Sequence, residues 1–200
     1  MTAILKVDTI QDTAGNNIIN ENADTITIGA SGDTIALAGT TVTGITQGIT
    51  SASQFRLTTS FTGDAAPIAS NWEEVDTDGY GRLGTAVSQS SGIFTFPATG
   101  IWHIISVMTH IEGSANIAYA LNKIQTTSNN SSYADAAVSY NSLSGDGYYQ
   151  TNSASFIFDV TNTSNNKVRL STNAADTSTT TMGDTNINRT YITFIRLGAT

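Results

Sequence analysis

The run from Ile101 to Met108 is apolar on both sides when it is read as a strand, and it constrains the fold more than any other stretch of the chain. Side chains of a strand alternate between its two faces. One face then carries Trp102, Ile104, Ser106 and Met108, and the other carries Ile101, His103, Ile105 and Val107. A strand with two apolar faces has to be covered on both, inside a sandwich or between a sheet and a neighbouring subunit. We therefore expect this run to be the centre of a β core.

A shorter apolar run comes just before it. Ile93, Phe94 and Phe96 alternate as in a strand, and the run ends at Pro97, which has no N–H to donate to a neighbouring strand. Gly100 then permits a sharp turn into the long run. Beyond it, residues 112 to 155 alternate short apolar patches with polar turns, which predicts many short strands in a sandwich or jelly roll.

These segments resemble the C1q/TNF-like jelly roll, in which a phenylalanine strand, a proline, a glycine and an aromatic strand follow one another, as they do from Gly92 to Ile104. Phe156–Val160 and Asn165–Leu170 resemble the family's paired strands joined by a polar turn, and Tyr191–Gly198 resembles its closing strand. The resemblance covers residues 54 to 198 and implies an all-β head of two packed sheets. The residues that we expect in its core or at a subunit interface are Phe94, Phe96, Trp102, Ile104, Phe156, Phe158 and Phe194.

The sequence also departs from that family. Trp102 and His103 stand where a pair of tyrosines or phenylalanines is commoner, and the chain has no collagen-like stalk. No complement-type ligand is therefore implied.

A weak repeat fills the region before the head. Asp24-Thr-Ile-Thr-Ile-Gly recurs nine residues later as Asp33-Thr-Ile-Ala-Leu, and each unit has only two large apolar side chains on one face. One copy cannot bury that face, so three chains wound about an axis would form a thin β shaft. A flexible tail is the alternative. The side chains expected in the core of the trimeric shaft are Ile26, Ile28, Ile35, Leu37 and Val42.

The first 23 residues carry two short apolar runs around the turn Ala14–Asn17, which predicts two strands, although a helix over residues 2–11 is also compatible with the pattern. Ile4–Asp12 and the repeats after it resemble the beginning of fibre proteins encoded by tailed bacteriophages, marine ones especially. That resemblance implies a virion-docking segment at residues 1–23, a shaft and junction at 24–53, and a head at 54–200.

Charge and composition exclude several partners. The chain has 16 acidic and 8 basic residues, a net charge of −8, so a polyanion such as nucleic acid is disfavoured. It has no cysteine, so disulfides and thiolate metal sites are impossible. No apolar stretch reaches the length of a signal peptide or of a membrane span, about 18 residues, and we expect synthesis in a cytoplasm without membrane insertion.

Two motifs resemble a cofactor site and a metal site, but a structural role is expected for both. The glycines of Gly79–Gly84 match a dinucleotide fingerprint in their letters, but the motif follows an acidic stretch, so a glycine turn is expected. His103 and His110 fall on opposite faces of one strand and cannot chelate a metal together, so we expect core or interface histidines. Three copies of either could still meet at a three-fold axis, around a metal or a pH-dependent contact.

Carboxylates cluster at Glu73, Glu74, Asp76 and Asp78. A solvated loop or a weak calcium site is expected there, and a hydrolytic carboxylate pair is the lesser alternative. We expect no cofactor, no bound metal and no enzymatic activity.

Loops are the expected sites of recognition. Gly145–Tyr149 carries Tyr148 and Tyr149, whose flat rings and hydroxyls suit sugars or protein surfaces, so it is the candidate receptor loop. Tyrosines that merely cover the rim of the sandwich are the alternative. Thr126–Ser132 and Thr177–Asp184 are further candidates.

Taken together, the sequence predicts a homotrimeric virion fibre, on the tail or the head of a particle assembled in the host cytoplasm. Its N-terminus would contact other virion proteins, and its head would bind a glycan or protein on the host surface. A capsid decoration or assembly protein without host binding is the structural alternative. A carbohydrate-cleaving tailspike is the enzymatic one.

Overall fold

A computed structural model describes residues 48 to 113 and 116 to 200. The docking segment at residues 1–23 and most of the shaft at 24–53 lie outside the described residues, and so do Ile26, Ile28, Ile35, Leu37 and Val42. The expectations for that part of the chain stay predictions.

The described residues form twelve strands and no helix. In chain order these are β1 (Ala52–Leu57), β2 (Phe61–Thr62), β3 (Trp72–Glu74), β4 (Ser88–Ser90), β5 (Ile93–Thr95), β6 (Gly100–Ile111), β7 (Asn116–Thr127), β8 (Ala134–Ser144), β9 (Tyr149–Val160), β10 (Lys167–Ser171), β11 (Thr180–Thr181) and β12 (Tyr191–Gly198).

The strands form two antiparallel sheets. Sheet I has the order β3-β1-β12-β6-β9, with the short pair β2-β11 beside the far end of β6. Sheet II has the order β4-β5-β10-β7-β8. One cluster of buried side chains is drawn from both sheets, so the two pack face to face. The predicted all-β sandwich is confirmed.

Among the described strands, β6 pairs with three others of sheet I, more than any other strand in it. It pairs with β9 along its whole length, from Gly100 opposite Val160 to Ile111 opposite Tyr149, and with β12 on its other side. Its even-numbered residues are buried and its odd-numbered ones are half-buried, so the two sets lie on opposite faces as the alternation predicted. At its start Gly100 has φ +140°, and a Cβ there would lie 2.4 Å from the Gly198 carbonyl oxygen, so only glycine lets β12 pass this closely.

Phe94 joins the two sheets. Its ring centroid, on β5 of sheet II, lies 5.5 Å from those of Phe55 and Trp72 and 5.2 Å from that of Phe194, all in sheet I. A second aromatic group surrounds Phe96, which lies 5.0 Å from Trp102. Among the seven residues expected in the core or interface, Phe94, Phe96, Trp102, Ile104 and Phe194 are buried, and Phe156 and Phe158 are partly buried against the core.

The predicted pairing of Phe156–Val160 with Asn165–Leu170 is wrong. Strand β9 pairs with β6 in sheet I, whereas β10 pairs with β5 and β7 in sheet II. The polar turn between them crosses from one sheet to the other, and the Asn162 carboxamide oxygen accepts N–H bonds from Ser164 and Asn165. Alternation shows which side chains share a face, but it does not show which strand lies alongside.

The short strands expected between residues 112 and 155 are long ones. Strands β7, β8 and β9 have 12, 11 and 12 residues. Two register shifts interrupt the β7–β8 ladder, between Ile117 and Ala120 and between Ile124 and Gln125. Each shift breaks the period-two pattern of the sequence, so one strand looks like two.

Candidate functional site

The outer face of sheet I, directed away from the sandwich, carries an apolar strip. Ile157 of β9 and Ile195 of β12 lie directly opposite His103 of β6, one on each side. Ile157 is 60% exposed. The half-buried members of the strip are Ile101, Ile105, Val107 and Ile195. Partly exposed apolar side chains grouped on a sheet face are a candidate interaction surface.

His103 lies in the middle of this strip. Its cross-strand neighbours are apolar, and within the described residues its ring has no hydrogen-bond partner. His110 is on the opposite face of β6 and is fully buried. The two histidines therefore do not form a joint site, as their spacing predicted. In the part of the chain that the structure describes, no three metal-ligating side chains cluster.

His110 belongs to a chain of hydrogen bonds between the sheets. The Thr172 hydroxyl donates to the Leu121 carbonyl at 2.7 Å, so it accepts a hydrogen bond from His110 Nε2 at 3.2 Å. His110 Nδ1 lies 3.5 Å from the Asn141 amide nitrogen, a donor. These partners suit the neutral imidazole, and burial lowers the pKa of His110 from its ordinary 6.5 to about 4.

Acid is therefore expected to destabilise the head. Because the folded pKa of His110 lies below the unfolded one, the unfolded chain binds a proton between pH 6.5 and about 4 that the folded chain does not. The free energy of unfolding should fall by about 2 kcal/mol from pH 7 to pH 5. Urea unfolding at both pH values measures it, and a His110→Gln variant should lose this difference. An equal loss in both proteins would contradict the assignment.

A second polar group inside the sandwich was not anticipated from the sequence. The Ser106 hydroxyl donates to Asn122 Oδ1 at 2.8 Å, and Asn122 Nδ2 donates to the carbonyls of Ser106 and Asn152 at 3.1 and 3.3 Å. Asn152 Nδ2 donates to the Ser139 carbonyl at 3.1 Å. The one signal in the sequence was Ser106, a polar residue on the otherwise apolar inner face of β6. Such a network fixes strand register, because a slip would leave buried polar groups unpaired.

The candidate receptor loop connects β8 and β9. Tyr148 and Tyr149 are 59% and 55% exposed, so neither ring is held under the rim. The loop is anchored by the Gly147 N–H, which donates to the Glu112 carbonyl at 2.8 Å. A Cβ at Gly145 would lie 3.0 Å from the Tyr148 ring, so glycine allows the ring to lie over the backbone. The loop thus presents two aromatic side chains from an anchored backbone.

The other two candidate loops differ from expectation. Thr126–Ser132 begins inside β7, and Asn129 Oδ1 accepts N–H bonds from Ser131 and Ser132. Thr177–Asp184 contains β11, and Thr179 and Thr181 are buried. The second segment is therefore part of sheet I.

Most of the clustered carboxylates have cationic partners. Arg56 is 1% exposed, and its guanidinium binds Glu73 at 2.6 Å and also Asp76. Glu74 binds Arg82 at 3.0 Å. The interpretation as a merely solvated loop is corrected, because a buried guanidinium holds its carboxylates in place. No helix follows the glycines of Gly79–Gly84: Gly79 lies in a turn, and Leu83 forms an isolated bridge with Ala52 before β4.

No helix in the described ranges has the length and hydropathy that a membrane crossing requires.

Comparison with known proteins shows the fold. No family model matches the sequence, and no curated protein matches it. Among solved structures, murine APRIL at pH 8.5 is similar with a TM-score of 0.52 and 12% identity, over 74% of this chain and 98% of that one. Murine APRIL at pH 5.0 gives a TM-score of 0.54 with the same identity and coverage. APRIL is a jelly roll of the TNF family, so the described part of the chain has the C1q/TNF-like jelly-roll fold that its sequence predicted.

Proposed function

We propose that this chain is a structural virion fibre protein, of the tail or the head of the particle, whose head assembles as a trimer and binds a receptor on the host surface. The proposed self-assembly rests on the apolar strip on the outer face of sheet I, in which Ile157 is 60% exposed. Its burial against a neighbouring head would be favourable by about 25 cal/mol for each Å² of apolar surface removed from water.

The position of the strip supports contact with a second copy. Within the described residues, β9 pairs on one side only, so a long edge strand of sheet I lies next to this face. Long unpaired edges are usually covered in native proteins. Three copies are proposed because the repeats at residues 24–45 could then enclose their isoleucines around an axis. Three heads on one fibre would also bind a surface with the avidity of a single multivalent ligand.

Binding rather than cleavage is proposed for the head. Three of the four carboxylates considered for hydrolysis, Glu73, Glu74 and Asp76, are engaged with Arg56 and Arg82. The anchored loop with Tyr148 and Tyr149 supports contact with a glycan or protein of the host. The virion location, the docking of residues 1–23 on other virion proteins and assembly in the host cytoplasm come from the resemblance of the N-terminal sequence to phage fibres.

Replacing both loop tyrosines by serine is expected to weaken binding to host cells at least about tenfold, because exposed tyrosines often dominate binding energy. The full-length chain would be labelled and its adsorption to a panel of bacteria measured. Tyr140→Ser is the matched control, since Tyr140 is 69% exposed on β8, outside the loop. It should adsorb like the unmodified chain.

Three outcomes would contradict the proposal. If the loop variant adsorbed to cells as well as the unmodified chain, the loop would not be the receptor-binding site. Binding to purified virions but to no cell would favour the capsid decoration protein. Shortened polysaccharide after incubation with the chain would favour the tailspike.

A further inference from the structure

Tyr80, in the turn between β3 and β4, separates two clefts. On one side is a cleft of about 370 Å³ lined by Glu74, Val75, Asp76, Tyr80 and Arg82. The other cleft, of about 220 Å³, reaches Ile195 on the outer face of sheet I. Small-ligand sites commonly measure about 300–1,000 Å³ and combine an apolar wall with a few polar groups. The larger cleft fits that description and lies apart from the Tyr148–Tyr149 loop.

The Tyr80 ring is held in one orientation. Its hydroxyl accepts the N–H of Gln54 at 3.1 Å and donates to Glu74 Oε1 at 3.1 Å. Burial is the main cause that raises the pKa of Tyr80, so the hydroxyl stays protonated and keeps this donor role. A ring that is fixed before binding loses little conformational entropy when a ligand stacks on it.

Glycines stand on both sides of Tyr80. Gly79 has φ +89°, which an L side chain rarely adopts, and a Cβ at Gly79 or at Gly81 would meet no atom within 4 Å outside the adjoining residues. The backbone on either side of the half-buried Tyr80 therefore borders open space.

The polar rim of the larger cleft combines acceptors and donors. Arg82 Nη1 donates to Glu74 Oε2 at 3.0 Å, and about half of the Arg82 side chain is exposed, which leaves N–H groups free to face a ligand. Asp76 is mostly exposed and provides carboxylate oxygens. Vicinal hydroxyls both donate and accept, so they suit a carboxylate and a guanidinium side by side. With Glu73 and Arg56 included, the group has three carboxylates and two guanidinium groups, and this net negative charge disfavours an anionic ligand.

We propose that the Tyr80 cleft binds an uncharged sugar unit, with the C–H face of the pyranose ring on Tyr80 and its vicinal hydroxyls on Arg82 and Asp76. An aromatic ring with a polar rim matches the two kinds of surface that a pyranose presents. This site goes beyond the proposed function, because it requires neither self-assembly nor the tyrosine loop.

Saturation-transfer NMR on the full-length chain tests the proposal. The probes are the methyl glycosides of mannose, glucose, galactose and N-acetylglucosamine, with sialyllactose as the anionic probe. At least one neutral glycoside is expected to bind with a dissociation constant of about 1 mM, more tightly than sialyllactose. Tyr80→Ala and Arg82→Met should each weaken binding at least about tenfold. Tyr140→Ala, at an exposed tyrosine on β8, should not change it.

If Tyr80→Ala does not fold, Arg82→Met tests the site. This variant should fold, because the exposed ion pair that it removes contributes little to stability, about 0–1 kcal/mol. The proposal is overturned if no neutral glycoside binds, if sialyllactose binds more tightly, or if both cleft variants bind like the unmodified chain. A Tyr148→Ser/Tyr149→Ser chain that loses cell adsorption but still binds the glycoside would separate this site from the receptor loop.

Discussion

Replacing Ile157 by asparagine is expected to dissociate the assembled heads while leaving each head folded. Ile157 is 60% exposed, so in a single head the new amide is solvated and little packing is lost. In the assembly the same amide would be buried among isoleucines without a partner, at a cost of about 1–3 kcal/mol per copy. Because three copies carry the change and the midpoint concentration of a trimer follows the square root of its dissociation constant, the concentration at which the assembly dissociates should rise at least about tenfold.

Sedimentation velocity of the full-length chain over a range of concentrations measures this effect. Val138→Asn is the matched control, because Val138 is an exposed β-branched residue on β8 of sheet II, away from the strip. Any contribution of residues 1–47 is common to both variants and cancels in the comparison. Equal assembly of the two variants would show that the strip is not the interface, and a monomeric unmodified chain would reject the trimer itself.

The sequence was informative wherever a period-two pattern was unbroken. The alternation from Ile101 to Met108 predicted both faces of β6, and the even-numbered side chains are the buried ones. Strand pairing could not be predicted in the same way. The local patterns of β9 and β10 do not indicate that the two strands lie in different sheets, as they do in the folded sandwich. Local pattern encodes which side chains share a face, whereas strand order depends on contacts distant in sequence.

Some candidate site residues could likewise be identified from the local sequence, and others depend on contacts distant in sequence. Tyr148 and Tyr149 were identifiable because a glycine-rich loop with two aromatics stands out in the sequence. The Tyr80 cleft was not, since the Gln54 N–H that fixes the ring comes from β1, 26 residues earlier. Arg56 and its two carboxylates were hidden for the same reason, because β1 and β3 pair only in the folded sheet.

Truncation of Phe94 to alanine is expected to lower the free energy of unfolding by about 3–5 kcal/mol. The ring is fully buried and touches Phe55, Trp72 and Phe194 across the sandwich, so its loss leaves a cavity between the sheets. Neighbouring side chains cannot move to fill it, since they are fixed on paired strands of sheet I. Phe156→Ala is the control, because Phe156 is only partly buried, and it should cost less than half as much.

Urea unfolding followed by tryptophan fluorescence suits the comparison. Trp72 lies 5.5 Å from Phe94, and Trp102 is fully buried beside Phe96, so the two tryptophans of the chain report on this core. All variants are measured at one protein concentration, because self-association stabilises the folded chain by mass action. Equal losses of stability in Phe94→Ala and Phe156→Ala would contradict this prediction. They would show that the contact between the two sheets does not depend on Phe94 more than on a partly buried ring.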